Sequence, residues 1–157
     1  SPPVKGVKSG KADLGGLRIT LDGMMPAQSA IWNPWILTPH TPSPHERYEL
    51  ITHHLDLSVA CEIYFKTNLK KYNHDTWFVQ PTLAQLEEII SAFSADHSYL
   101  HPRLSELKSP IEFRKYLFNY ITWLPGNKSL KKKIPPARDY ISLVWLLDEY
   151  FTQTLDV

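Results

Sequence analysis

Hydrophobic residues recur every three or four positions in several long stretches of the chain, which is the spacing of helices with one buried face. A regular example is the series Leu83, Leu86, Ile89 and Phe93. The pattern predicts helices over about residues 44–72, 83–94, 110–124 and 136–155, with a short helical turn near 101–107 as a fifth. The predicted fold class is therefore mainly all-α, a compact bundle of four to five helices.

Three of these helices are preceded by a similar local sequence. Ser43-Pro44-His45-Glu46 and Ser109-Pro110-Ile111-Glu112 have the form of a capping box with proline at the first helical position. Thr82-Leu83-Ala84-Gln85 is a variant of the same pattern. In each case we expect the first side chain to accept from the backbone amide three residues later. The fourth helix differs, because Pro135 and Pro136 occupy its predicted cap and first position.

The composition along the chain divides it into three segments. Residues 1–16 are rich in Pro, Gly, Lys and Ser and predict a flexible tail. Residues 17–43 predict an extended arm rich in aromatic residues and proline, and residues 44–157 the helical domain. The sequence also allows one small β pairing, between the alternating segments 17–21 and 76–79.

The totals suit one domain in a reducing compartment. The chain has 157 residues, 43% hydrophobic residues and a net charge of +1. Its single cysteine, Cys61, permits neither an internal disulfide nor a cysteine-based zinc site. We therefore predict an intracellular protein, cytoplasmic or nuclear. No apolar run approaches the roughly 20 residues that a membrane span needs.

The common catalytic signatures are missing from the sequence. There is no nucleophile elbow, zinc-protease motif, Walker loop or dinucleotide-binding glycine motif. Two histidines, His97 and His101, have the spacing of metal ligands on a helix, but Pro102 disfavours a helix there. We therefore predict a protein that is not an enzyme and has no cofactor and no metal. An acid–base pair assembled from distant carboxylates stays open.

The strongest candidate for a binding site is the segment that precedes the last predicted helix. It has five basic residues and no acid before Asp139. We interpret it as a basic loop next to a helix N-terminus whose amides at Ala137 and Arg138 lack a side-chain acceptor, an arrangement that favours anions. The predicted partner is a polyanion, either nucleic acid or an anionic membrane surface. The predicted contact residues are Lys128, Lys131, Lys132, Lys133 and Arg138, with Lys66, Lys70, Lys71, Arg114 and Lys115 as an extension of the patch.

An alternative hypothesis concerns the aromatic arm. Trp32 and Trp35 lie in a segment interrupted by proline, and exposed Trp side chains are common anchors for partner proteins. In this interpretation the chain is a protein–protein interaction or self-assembly module. Packing of both Trp side chains on the helical bundle is the other explanation of the same residues. The two binding hypotheses differ in ionic-strength dependence, since salt weakens polyanion binding and leaves aromatic docking largely unchanged.

Overall fold

A computed structural model describes residues 11–14, 17–20, 30, 33–68, 80–95 and 106–155. The chain divides into two units, residues 1–43 and residues 44–157. Among the described residues, the first unit contains two short strands and one turn of 3-10 helix, and the second contains the α-helices of the bundle.

The first unit contains a small antiparallel hairpin. Strand β1, Lys11–Leu14, pairs with strand β2, Leu17–Thr20, in a backbone register that pairs Lys11 with Thr20 and Leu14 with Leu17. The expected strand at 17–21 is present, but its partner was predicted wrongly. It comes from the segment predicted to be a flexible tail, while 76–79 lie outside the described residues. Only two residues separate the strands, so their pairing closes a very short loop. Closing a short loop costs less chain entropy than bringing together segments that are far apart in the sequence.

One turn of 3-10 helix, Pro34–Leu37, lies in the segment predicted to be extended. Pro34 occupies the first helical position, where its restricted φ already suits a helix and its missing N–H costs no hydrogen bond. The turn ends at Thr38, whose backbone amide and hydroxyl both donate to the carbonyl oxygen of Trp35 at 2.9 Å.

The second unit is an all-α bundle, as the periodicity predicted. Among the residues that the structure describes it has five α-helices. They are α1 (Pro44–Asn68), α2 (Leu83–Ala95), α3 (Ser109–Ile121), α4 (Asn127–Lys133) and α5 (Tyr140–Gln153).

Helix α1 is the central element, and it packs against α2, α3 and α5. Its buried positions Ile51, Leu55 and Val59 repeat every four residues and form one continuous stripe. Helices α3 and α5 contribute stripes of the same kind to a common core. Burial of these apolar surfaces is the main stabilising contribution to the bundle.

Two tyrosine–aspartate hydrogen bonds also join α1 to α5. In the first, Tyr140 Oη of α5 donates to Asp56 Oδ1 of α1 at 2.7 Å. In the second, Tyr48 of α1 donates to Asp148 of α5. Burial, together with the hydrogen bond to Asp148, raises the pKa of Tyr48 to about 12. Both tyrosine hydroxyls therefore stay protonated at neutral pH and can donate these hydrogen bonds, which join α1 to α5.

The predicted capping boxes differ in outcome. At α2 the prediction is confirmed: Gln85 N donates to Thr82 Oγ1 at 3.2 Å, and Thr82 N donates to Gln85 Oε1 at 2.9 Å. At α3 it is wrong, since Ser109 is the first helical residue and Lys108 occupies the cap position without a side-chain hydrogen bond. Helix α1 begins at Pro44, which places Ser43 at the cap position as expected.

The largest correction concerns the fourth predicted helix. The segment predicted to be a basic loop is itself a helix, α4, and the last helix begins only at Tyr140. A tight turn separates them, in which Ala137 N donates to Ile134 O at 3.0 Å. Leu130, Ile134 and Ala137 are buried, so α4 and its turn are held by core contacts.

Candidate nucleic-acid interface

Three lysines of α4 form one exposed face of the helix. Lys128, Lys131 and Lys132 occupy positions i, i+3 and i+4, which lie side by side on a helix, and Leu130 on the other side is buried. Lys128 and Lys132 are exposed, and Lys131 is partly exposed. Within the described part of the chain, none of the three is in an ion pair. We call these three residues the lysine face.

The other two predicted contact residues lie apart from this face. Lys133 Nζ lies 3.2 Å from Glu149 Oε1 of α5, so Lys133 has a carboxylate partner within the bundle. Arg138 is exposed and lies next to Asp139, beyond the turn that ends α4. Of the five predicted contact residues, Lys128, Lys131 and Lys132 therefore share one side of α4, whereas Lys133 is paired with Glu149 and Arg138 lies beyond the turn.

The anion site predicted at the N-terminus of the last helix is not present. Asp139 caps α5 with its own carboxylate, which accepts from Ser142 N at 2.7 Å. The favourable position for an anion at that helix end is therefore occupied by an acidic side chain. Lys131, Lys132 and Lys133 lie in the last turn of α4, at the negative end of its helix dipole. Cations are stabilising there.

The residues predicted to extend the basic patch have different positions relative to α4. Arg114 of α3 donates through Nη1 to the carbonyl oxygen of Pro135 and through Nε to Ile111 O at 3.2 Å, so its guanidinium lies at the turn after α4. Lys115 Nζ lies 4.9 Å from the centre of the Tyr116 ring. Lys66 pairs with Glu62 at 3.3 Å. Lys70 and Lys71 lie outside the described residues.

The alternative hypothesis, docking of a partner protein, concerns Trp32 and Trp35 of the aromatic arm. Trp35 is partly buried within the 3-10 turn, and Trp32 lies outside the described residues. Docking of a partner protein on these two residues stays a prediction.

A polar cleft between α1 and α3 has no counterpart among the sequence-based predictions. It has a volume of about 420 Å³ and is lined by residues that include His54, Ser58, Glu62, Ser109, Phe113 and Tyr116. His54 Nδ1 lies 2.8 Å from Tyr120 Oη, and Ser58 donates to the backbone oxygen of His54 at 2.9 Å. These polar groups are engaged in contacts between and within the two helices, and they stabilise the helix pair.

Glu62 is the most heavily used polar residue in this cleft. Its two carboxylate oxygens accept from Lys108 N and Ser109 N, each at 2.8 Å, and thus cap α3 from another helix. Partial burial alone would raise the pKa of Glu62, but these amide bonds and Lys66 outweigh it and hold the pKa below its ordinary value. The only local signal in the sequence is the spacing of Glu62 and Lys66, which is typical of a surface pair.

The described residues contain neither a metal-ligand cluster nor a membrane-spanning helix. In those ranges, no group of three or more His, Cys, Asp or Glu side chains is arranged to hold a metal ion. None of the helices formed by the same residues is both long and apolar enough to cross a membrane. The intracellular location stays a prediction from the single cysteine.

Comparison with known proteins gives no relative for this chain. No family model, curated protein or solved structure matches it. The function must therefore be inferred from the chain's own surface.

Proposed function

We propose that this chain is a non-enzymatic binding domain that contacts the phosphates of a nucleic acid through the lysine face of α4. The observation that carries the proposal is the grouping of Lys128, Lys131 and Lys132 on one exposed side of a helix, without carboxylate partners among the described residues. Such a group of lysines is attracted to the closely spaced phosphates of a nucleic acid. When it binds, counterions that were held by those phosphates are released.

The distribution of charge along the chain supports the same proposal. From residue 113 to residue 138 there are seven Lys and Arg residues and no Asp or Glu. Arg114 extends the positive surface to the turn after α4. A net charge of +1 for the whole chain therefore conceals a local excess of positive charge, and local excess is what matters for binding a polyanion.

Nucleic acid is favoured over an anionic membrane because α4 has no apolar side to insert. A helix that lies in a membrane interface buries hydrophobic residues on one face and places cations beside them. The hydrophobic residue of α4, Leu130, is already buried in the bundle. Phosphate contacts alone position a protein on a nucleic acid without reading its sequence, so we expect little sequence preference.

The test is fluorescence anisotropy of labelled single-stranded and double-stranded oligonucleotides, titrated at several salt concentrations. The double variant Lys128→Ala/Lys132→Ala should lower affinity and reduce the slope of log affinity against log salt by about 2, roughly one for each phosphate that is no longer neutralised. Both side chains are exposed, so the fold should be unaffected.

A control removes one exposed lysine outside this basic stretch, Lys108→Ala, and should bind as the parent protein does. Absence of binding at low salt would overturn the proposal. Co-sedimentation with phosphatidylserine vesicles in the same salt series distinguishes a membrane partner, since binding to vesicles without binding to oligonucleotides would assign the lysine face to anionic lipid.

A further inference from the structure

A short segment without helix or strand, residues 38–43, leads from the 3-10 turn of the first unit into helix α1. Together with the first residue of α1 it contains three Ser/Thr-Pro pairs, Thr38-Pro39, Thr41-Pro42 and Ser43-Pro44. The Ser and Thr residues of all three pairs are exposed. Proline directly after Ser or Thr is the feature that proline-directed protein kinases recognise. The segment therefore presents three candidate acceptor hydroxyls for a phosphoryl group.

The prolines keep the backbone of this segment out of the helical conformation. A residue that precedes proline is disfavoured in the α region, because the proline ring clashes with it there, and it takes an extended conformation instead. Thr38 shows this directly, with φ of −121° and ψ of 157°. Protein kinases bind the residues on both sides of the acceptor hydroxyl in an extended form. The segment therefore needs little rearrangement to enter a kinase active site.

The three hydroxyls are not equivalent in the fold. Thr38 Oγ1 donates to Trp35 O at 2.9 Å, so the Thr38 hydroxyl takes part in closing the 3-10 turn. Ser43 occupies the cap position of α1, and Pro44 after it is the first helical residue. A kinase that bound at Ser43 would have to open the first turn of α1. Thr41 has two residues without helix or strand on either side, so it is the acceptor that the fold presents best.

A fourth Ser/Thr-Pro pair, Ser109-Pro110, shows that the dipeptide alone does not decide accessibility. Ser109 is the first residue of α3, its Oγ is buried, and Pro110 is buried as well. The backbone amide of Ser109 is also held by Glu62 at 2.8 Å. The same dipeptide is thus closed to a kinase in the bundle and open at Thr41, which gives the chain an internal control.

We propose that Thr41 is a phosphorylation site for a proline-directed protein kinase. In the reaction Thr41 Oγ1 attacks the γ-phosphorus of a nucleoside triphosphate and loses its proton, while the bond from that phosphorus to the nucleoside diphosphate breaks. The new phosphate carries a charge of about −1.5 to −2 at neutral pH. Residues 23–45 contain no Asp, Glu, Lys or Arg, so the modification introduces a strong negative charge where the chain has no comparable one.

The first test treats the full folded chain with an active mitogen-activated protein kinase, magnesium and ATP, and locates the phosphate by tandem mass spectrometry. We expect phosphothreonine at position 41 as the main product. Thr41→Ala and Pro42→Ala should each lose most of the incorporated phosphate, whereas Thr41→Ser should retain it on the new hydroxyl. Ser109→Ala is the control and should be phosphorylated as the parent protein is. Absence of incorporation, or a main product at Thr38, Ser43 or Ser109, overturns the proposal.

The second test examines the chain isolated from its own cells in the presence of phosphatase inhibitors. Tandem mass spectrometry should find phosphate on Thr41, and phosphatase treatment should remove it. Detection of the unmodified peptide without its phosphorylated form overturns the proposal. These outcomes are separate from those that test the proposed function, because Thr41→Ala leaves the three lysines of α4 in place and should bind oligonucleotide as the parent protein does.

Discussion

Glu62 on α1 caps α3 by accepting a hydrogen bond from the backbone amide of Ser109 at 2.8 Å. Its second oxygen accepts from the Lys108 amide at the same distance. One carboxylate thus satisfies two of the backbone donors that a helix N-terminus leaves without an intrahelical partner. It also places a negative charge at the positive end of the α3 dipole, so a single side chain fixes both the start of α3 and its position against α1.

Replacement of Glu62 by Gln should destabilise the bundle by about 1–2 kcal/mol, the usual size of a lost cap with charge-assisted hydrogen bonds. Gln presents one acceptor oxygen where two amides need partners, and its amide nitrogen would face a second donor. The measurement is the free energy of unfolding in urea at neutral pH. Glu87→Gln, at an exposed position of α2, is the control and should leave that free energy nearly unchanged.

The same cap predicts a loss of stability in acid. The pKa of Glu62 is lower in the folded chain than its ordinary value of 4.5. The unfolded chain therefore binds the proton more readily, and stability falls as the pH drops below the ordinary value and through the folded one. The stabilising contribution is fully present above the ordinary pKa. In urea unfolding from pH 7 to pH 3, the difference between the parent protein and Glu62→Gln should shrink toward pH 3, and a constant difference would contradict the assignment.

Periodicity of apolar residues was sufficient to predict the bundle, because α1, α2, α3 and α5 each have buried residues at regular helical spacing. The Thr82–Gln85 box was also predictable, since both partners lie within four residues. The cap of α3 was not, because a carboxylate 47 residues away in sequence replaced the expected local partner. A local pattern shows which hydrogen bonds are available but not which distant group competes for the same amides.

The error at residues 127–139 has a different origin. The run of lysines before two prolines suggested a loop, but Leu130, Ile134 and Ala137 at spacings of four and three already had helical periodicity. Asp139 is a residue type that often caps helices, and it does cap α5. The prediction started the last helix at Pro136, so Asp139 was placed inside the first turn and was not considered as its cap. The sequence predicted that Lys128, Lys131 and Lys132 belong to one basic segment. It did not predict that they lie side by side on a helix, because the start of α4 was not recognised.

Burial of His54 predicts a pKa below the ordinary value of 6.5, and the neighbouring His53 lowers it further. In the folded chain His54 contacts the rings of Phe113 and Tyr120, and its Nδ1 pairs with Tyr120 Oη. We expect the NMR titration of His54 to have its midpoint below 6.5. The unfolded chain then takes up the proton first, so this residue contributes a loss of stability as the pH falls below that value.

Substitution at His53 tests the order of the two causes. Because burial is the larger one, His53→Gln should raise the His54 midpoint only slightly and leave it below 6.5. His53 is exposed, so the variant should fold normally. A return of the His54 midpoint to its ordinary value in this variant would show that the neighbouring charge, and not burial, dominates.

Gly126, which precedes α4, should not tolerate alanine. Its φ of +69° lies in the left-handed region, and a Cβ built there would lie 3.0 Å from Thr154 Cγ2. The conformation alone costs a residue with a Cβ about 1–2 kcal/mol, and the close approach adds to that. Gly126→Ala should therefore lower the free energy of unfolding by at least this amount. In the double variant Gly126→Ala/Thr154→Ser the obstructing methyl group is absent, so only the conformational part should remain. Equal losses in the single and double variants, with Thr154→Ser neutral alone, would assign the whole effect to the backbone.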